Sequence, residues 1–380
     1  MKFEHSLRAL VVLANMGLSA CVGNSEARRG GPQAAYVGPF VHFGDTTAPS
    51  VTGRFHALED GAIQIAWSGT STTIRFHGNA VSVDITDTGT NHYLVVIDGN
   101  PKREKVNPSP GRSVVELAKG LPRGEHTVTL YKLNEPFLGT ATIHGFVLDE
   151  SGKPLPLDSM RQPRIEILGD SISTGYGNEG PNETCGFSPE TQNHFLTYGA
   201  RAARELDASL TTIAWSGKGV FSNRGDVSDS DTLPLLWDKA LPLEDIDHHF
   251  GDAPPQAVLI NLGTNDFAPE VADLSPFKQK YDDFVSDVRN KYPTSPLFLA
   301  IGPLLTDDYP PGKNALTTVR KALTEIVSRR TAEGDDRVHL IEFAAATDDE
   351  GFGCDYHPSV KTHARMAATL VRVLREKAGF

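Results

Sequence analysis

Cysteine is scarce in this chain, three in 380 residues. So few exclude a small disulfide-stapled scaffold and a structural zinc site built from four cysteines. Positive charge is also in deficit: 36 Lys and Arg stand against 48 Asp and Glu, a formal net charge of −12. A chain of that balance has no global basic field to gather nucleic acid or anionic lipid. No apolar run reaches the length of a membrane-spanning helix, and no internal repeat or low-complexity tract is evident. What is present suffices for ordinary cores, because 39% hydrophobic and 22% charged residues exclude whole-chain disorder. The length exceeds one ordinary compact domain and suggests two, while 35 Gly and 25 Pro point to many turns.

The first twenty residues read as a secretory signal. Lys2 and Arg8 precede an apolar stretch from Ala9 to Leu18 that is too short to span a bilayer. It ends in Leu18-Ser19-Ala20-Cys21, which resembles a bacterial lipobox. The resemblance implies an exported bacterial lipoprotein with a lipidated Cys21, held at the outer membrane, in the periplasm or at the cell surface by that anchor alone. An ordinary signal peptide cut after Ala20 is the alternative. Residues 21–36 read as a tether.

Two halves follow with different periods. Over residues 37–148 apolar side chains alternate with period two, and 63–67, 73–76, 81–85, 93–97 and 126–130 read as strands. Asp98-Gly99-Asn100 and Gly120 to Gly124 supply turn chemistry. Short strands without long helices predict an antiparallel, jelly-roll-like β-sandwich. Residues 149–163, with three prolines, read as a linker. Over residues 164–380 the pattern switches to alternating elements. Strands are predicted at 165–168, 210–214, 258–262, 297–301 and 338–343. Helices are predicted at 195–206, 276–292 behind an N-cap at Ser275, 315–330 and 359–377. That order predicts a three-layer α/β domain with a five-stranded parallel sheet covered on both faces.

In such a sheet ligands bind beyond the carboxyl ends of the strands. Four of the five strands run into a polar motif there: Gly169-Asp170-Ser171-Ile172-Ser173, Trp215-Ser216-Gly217-Lys218-Gly219, Gly263-Thr264-Asn265-Asp266, and, through a loop, Asp355-Tyr356-His357-Pro358. Singly, each has a plain structural reading as a cap or turn. Together they meet one chemical need. A serine hydroxyl becomes a nucleophile at neutral pH when a histidine takes its proton. The resulting oxyanion needs donors, which the N–H groups of Ser171 and Gly217 and the Asn265 amide can supply.

Residues 163–380, through GDSIS, SGKG, GTND and DYHPS in order, resemble the SGNH (GDSL-type) hydrolases. The resemblance implies Ser171 as nucleophile, Gly217 and Asn265 as oxyanion donors with the Ser171 N–H, and His357 as general base. The preceding sandwich and the DYHPS block resemble carbohydrate esterase family two, whose members deacetylate sugars. That implies an acetylated polysaccharide or oligosaccharide substrate of acetylxylan or acetylmannan type, with no metal or organic cofactor and no nucleic-acid partner. Hydrolysis of longer acyl esters by a lipase or thioesterase of the same superfamily, and a non-catalytic carbohydrate-binding lipoprotein, are the competing readings. One departure stands out, because the acid usually three residues before the histidine is here Cys354. Either Asp355 orients His357, completing a triad, or a backbone carbonyl does so.

With Cys21 lipidated, Cys185 and Cys354 remain as an even pair in an oxidising compartment. The loops that carry them must meet if Ser171 and His357 touch, so a Cys185–Cys354 disulfide is expected, against two buried free thiols. Trp215 and Tyr356 flank the site residues in sequence; core packing is their default reading and stacking on a sugar face the functional one. Gly175 to Gly180 fits the spacing of a dinucleotide loop, but it begins after the serine turn and runs into Pro181, so no such site is read from it. His248-His249 reads as a surface pair, not a metal site.

Overall fold

The computed structural model describes residues 38–45, 47–157, 162–225, 231–251 and 254–380. The signal segment 1–20, the lipidation site Cys21 and the tether 21–36 lie outside the described residues.

The first half forms two facing antiparallel sheets. One runs His56–Ala57, Ile63–Ile65, Ala141–Leu148, Val81–Asp87, Gly111–Ala118, with Phe40–Val41 also on Ala141–Leu148. The other runs Lys153–Leu155, Ser71–Gly78, Gly124–Lys132, Tyr93–Ile97, Asn100–Pro101, with Ser50–Thr52 also on Ser71–Gly78. Alternate residues point inward, and Ile74, Phe76, Val95, Val128 and Leu130 of one sheet meet Val83, Ile85, Ile143 and Phe146 of the other. Two of these strands escape the sequence pattern for visible reasons. Gly111–Ala118 lies at a sheet edge and leaves Val114 exposed, which spoils its alternation. Ala141–Leu148 shifts register between Ile143 and Gly145, and that irregularity breaks the period. The stretch read as a linker also needs correcting. Lys153–Leu155 pairs with Arg75, Phe76 and His77 as an outer strand of the sandwich, and its proline is tolerated at that edge.

The second half is the parallel sheet, made of Arg164–Gly169, Ser209–Ala214, Ala257–Asn261, Leu297–Ile301 and Val338–Glu342. Its spatial order is second, first, third, fourth, fifth. Side chains divide between the two faces. Ile165, Ile167, Leu259 and Phe298 meet helices Tyr198–Glu205 and Val360–Ala378, while Leu168, Val258, Ile260, Leu297 and Leu299 meet Phe277–Lys291 and Ala315–Ala332. Thr197 and Ser359 cap their helices through side-chain oxygens. Ser275 does not: Pro276 takes the cap position of Phe277–Lys291, and the Ser275 N–H is spent on the Asp273 carboxylate at 2.9 Å.

The sandwich and the parallel-sheet domain share buried contacts. Trp67 of the sandwich lies within the core of the second domain and donates its indole N–H to the Lys239 carbonyl at 3.1 Å. Arg54, 1% exposed, pairs with Glu166 of the first parallel strand at 3.4 Å and donates to the Trp237 carbonyl. Glu166 is further satisfied by the Trp237 indole at 2.8 Å and the Tyr292 hydroxyl at 3.0 Å. Tyr131 hydrogen-bonds His194 at 2.7 Å, and His194 in turn reaches Thr212 of the second parallel strand at 3.0 Å.

Removing one partner of a buried ion pair leaves an uncompensated charge, at a cost of about 3–5 kcal/mol. Arg54→Met should therefore lower the unfolding free energy by about that amount in denaturant titration. A loss below about 1 kcal/mol would mean that the neutral donors around Glu166 suffice without the arginine.

Candidate active site

The first parallel strand lies between the second and third, so the chain crosses to one side of it and then back to the other, and in such sheets ligands bind beyond the carboxyl end of the strand at that switch point. Ser171 sits there. The strand ends at Gly169, where a Cβ would fall 2.1 Å from the Ser173 hydroxyl, so the turn admits no larger residue. Asp170 caps the four-residue helix Ser171–Thr174 by accepting the Ile172 N–H at 3.0 Å, and Gly175 closes it with φ of +79°. Ser171 is buried, 7% exposed.

His357 meets it from the far end of the sequence. Its Nε2 lies 2.8 Å from the Ser171 hydroxyl oxygen. Its Nδ1 faces two main-chain carbonyls, Asp355 at 3.1 Å and Cys354 at 3.2 Å. Only an Nδ1–H can donate to carbonyls, which leaves Nε2 as the acceptor for the serine proton. The Asp355 carboxylate is directed elsewhere, accepting the Tyr176 hydroxyl at 2.8 Å and the Phe187 N–H at 3.0 Å. Asp355 thus meets the imidazole through its backbone. Burial, opposed by the two carbonyls and the nearby Asp355 charge, pushes His357 down to about 4. The Tyr176 ring lies against the imidazole, centroids 4.2 Å apart.

The loop that aims these carbonyls is held from several sides. Asp355 and Tyr356 adopt φ of +52° and +59°. A disulfide joins Cys185 to Cys354. Beside it the Cys354 N–H donates to the Gly177 carbonyl and the Asp355 N–H to the Cys185 carbonyl, both at 2.9 Å. The glycines that mimic a dinucleotide loop serve this junction: a Cβ on Gly180 would meet the Cys354 sulfur at 2.4 Å.

Gly217 follows the second strand with φ of +83°. Asn265 donates from Nδ2 to the Lys218 carbonyl at 2.9 Å and lies 3.5 Å from Asp170. The next residue, Asp266, is fully buried and collects the N–H groups of Val220, Phe221 and Ser222 at 3.1, 2.6 and 3.0 Å. Burial pushes Asp266 up to about 6 and Asp170 up to about 7. On the other side of Gly217, Ser216 is held by Glu135 of the sandwich, at 2.6 Å from both its N–H and its hydroxyl. Glu135 and Tyr176 lie outside the four sequence motifs. Tyr176 is signalled by its place five residues after Ser171, whereas a lone Glu135 in the other domain carries no signal.

Of the two flanking aromatics, Trp215 is half-buried, with Trp67 edge-on at 6.5 Å and Phe137 of the sandwich also at 6.5 Å. Phe137 continues to Phe187, and Phe187 stacks on Tyr176 beside the histidine. Tyr356 is 62% exposed. Away from the site, His248 is half-buried against Phe250 and His249 is exposed.

The arrangement can activate a serine hydroxyl for attack on a carbonyl. Two family models match the chain: residues 51–157 fit "Carbohydrate esterase 2 N-terminal" and residues 167–365 fit "GDSL-like Lipase/Acylhydrolase family". The chain is 36% identical over 332 residues to the cellulase/esterase CelE of Acetivibrio thermocellus, covering 86% of itself and 39% of that protein's length. It is 26% identical over 333 residues to an acetylxylan esterase / glucomannan deacetylase of Cellvibrio japonicus, covering 86% of this chain and 88% of that one. Among solved structures, a family two carbohydrate esterase from Clostridium thermocellum in complex with cellohexaose superposes with a TM-score of 0.82 at 35% identity, over 87% of this chain and 99% of that one. With a GDSL-type domain behind its own N-terminal sandwich, and with that likeness over nearly a whole relative, the chain belongs to carbohydrate esterase family two.

Proposed function

We propose that the protein removes O-acetyl groups from polysaccharides or oligosaccharides of acetylxylan or acetylmannan type, through an acetyl-enzyme on Ser171. The observation that carries this reading is the 2.8 Å contact between His357 Nε2 and the Ser171 hydroxyl, with Nδ1 satisfied by carbonyls. His357 takes the serine proton as the oxygen attacks the acetyl carbonyl, then gives it to the departing sugar oxygen. Water attacks the acetyl-serine with His357 again as base, releasing acetate. The oxyanion is received by the N–H groups of Ser171 and Gly217 and by Asn265 Nδ2. Those steps call on no metal or organic cofactor. The names of the relatives support the sugar substrate, and the aromatic run Trp215, Phe137, Phe187 beside the site supports a ring-stacking surface. Tyr356 is assigned to the same surface on its exposure.

Hydrolysis of acetyl and octanoyl esters, then of acetylated xylan and mannan, tests the reading, with Ser171→Ala as the inactive reference. Preference for octanoyl esters would favour the lipase or thioesterase alternative, and no turnover of any ester the non-catalytic one. Asn265→Ala should lose on the order of 100- to 1000-fold in kcat. His357→Ala should be near inactive, whereas Asp355→Ala should lose less than roughly tenfold, because main-chain carbonyls fix the tautomer. Equal collapse of both, with Tyr176→Phe, which removes only a loop anchor of the Asp355 carboxylate, left active, would restore Asp355 to a full triad.

The pH profile follows from the lowered histidine. An imidazole that protonates near 4 stays neutral, and so competent as base, well into acid. The acid limb of kcat/KM should therefore fall near pH 4 to 5. A limb centred at about 6.5 would mean that the histidine is not the buried group described.

We further propose that the protein is exported and anchored through a lipid on Cys21, a reading supported by Leu18-Ser19-Ala20-Cys21 behind a short apolar run. Mass spectrometry of the mature N-terminus should find diacylglyceryl cysteine; an unmodified terminus would overturn the anchor.

A further inference from the structure

We propose that Glu135, borne by the sandwich domain, is a positioning residue that sets the orientation of the Gly217 oxyanion donor; the inference rests on the esterase reading above. Glu135 is fully buried, and burial raises its pKa against the pull of its donors. Its carboxylate does not sit idle in the domain junction. One oxygen accepts the Ser216 N–H at 2.6 Å. The other accepts the Ser216 hydroxyl at 2.6 Å and the Gln192 amide at 2.9 Å, and lies 3.4 Å from the Thr174 hydroxyl. Ser216 immediately precedes Gly217, and Thr174 closes the helix that begins with Ser171. One carboxylate therefore ties Ser216, the residue before the Gly217 N–H, to the helix that begins with Ser171.

The carboxylate is itself fixed from beneath. Lys132, also fully buried, donates its ammonium to the Asn134 carbonyl at 2.7 Å and approaches the Glu135 carbonyl at 3.5 Å. Asn134 donates its amide to the Pro189 carbonyl and to Gln192 Oε1, at 3.0 and 3.1 Å. Gln192 therefore presents its NH2 to Glu135, and the segment cannot swing without breaking several bonds at once. Gly217, with a positive φ and free space around its Cα, has no side chain to hold its own turn. Its orientation comes from main-chain bonds, with the Lys218 N–H on the Trp215 carbonyl at 3.2 Å and the Arg224 N–H on the Gly217 carbonyl at 2.8 Å, and from two carboxylates, Asp266 on the Val220 to Ser222 side and Glu135 on the Ser216 side. An oxyanion donor displaced by a fraction of an ångström loses transition-state binding before it loses substrate binding.

Glu135→Gln keeps the volume but replaces one acceptor with an NH2 that repels either the Ser216 N–H or the Gln192 amide. With an acetyl aryl ester, kcat should fall by about 10- to 100-fold while KM changes by less than about threefold. The inhibition constant of a boronic acid, which forms a tetrahedral adduct on Ser171, should rise in parallel with the loss of kcat. Tyr131→Phe cuts the separate junction bond to His194 and serves as the control. It should retain wild-type kcat at a comparable shift in Tm. A Glu135→Gln protein that melts within about 5 °C of the parent with kcat within twofold would overturn the inference, as would a matching kcat loss in Tyr131→Phe. Should Glu135→Gln fail to fold, Ser216→Ala removes one of the same bonds and should lower kcat in the same direction; unchanged kcat there sinks the proposal equally. Absence of acetyl-ester turnover in the parent would instead sink the esterase reading, so the two failures are distinguishable.

Discussion

A single hydrogen bond, from the Ser171 hydroxyl to His357 Nε2, sets the terms for the rest of the molecule. Its partners are 186 residues apart and must stay within 2.8 Å. The serine is easily held, because it belongs to the first turn after a central parallel strand. The histidine comes from a loop before the last helix, and a loop has no ladder of its own to fix it. The disulfide, two main-chain bonds to residues 177 and 185, and the Tyr176 and Phe187 donors to Asp355 all address that one difficulty. All of them bind the histidine loop to the segment just after Ser171. The two halves of the dyad are thereby made near neighbours in a local sense, despite their separation in sequence.

Buried carboxylates do much of the remaining fixing. Asp170, Asp266, Glu135 and Glu166 all lie out of solvent, where an unpaired charge costs several kcal/mol. Each gathers two or more donors, and three of the four take backbone N–H groups at the ends of strands and turns: Ile172 for Asp170, residues 220–222 for Asp266, Ser216 for Glu135. A carboxylate has two acceptor oxygens and no donor, so it can satisfy several converging N–H groups that no helix or strand would satisfy. Glu166 plays a different part, since its main partner is Arg54 across the domain junction. The sandwich thus contributes a charge to the core of the second domain through Arg54 and an acceptor to the site through Glu135. Neither contribution is what a mere spacer would make.

The parallel sheet is legible in the sequence because most of its strands are short apolar runs that end at a glycine or polar turn, as at Leu297–Ile301, where expectation and structure coincide. The four polar blocks are legible for the same reason: they mark strand ends, and the topology brings strand ends together. What escapes is non-local. Gly111–Ala118 is a half-exposed outer strand without clean alternation, and Lys153–Leu155 carries Pro154 and runs into Pro156. Glu135 looks like any turn residue before a proline until the fold places Ser216 on it. Asp355 illustrates the limit most clearly. Its distance from His357 in sequence allows either its carboxylate or its carbonyl to face Nδ1, and only the left-handed conformation of Asp355 and Tyr356 decides between them.

That decision has a chemical consequence. A carboxylate beside Nδ1 stabilises the imidazolium and raises its pKa, whereas carbonyls orient the ring with less charge stabilisation. In this site the Asp355 charge is partly spent on the Tyr176 hydroxyl and the Phe187 N–H, and burial dominates the histidine. The base is accordingly weaker but neutral over a wider range of pH. A weaker base abstracts the serine proton less readily, so more of the barrier must be lowered where the negative charge accumulates, on the carbonyl oxygen. In the proposed mechanism the physical demand then shifts from the acid member of a triad to the oxyanion donors. The buried acceptors on either side of Gly217, one from each domain, stand where that demand falls.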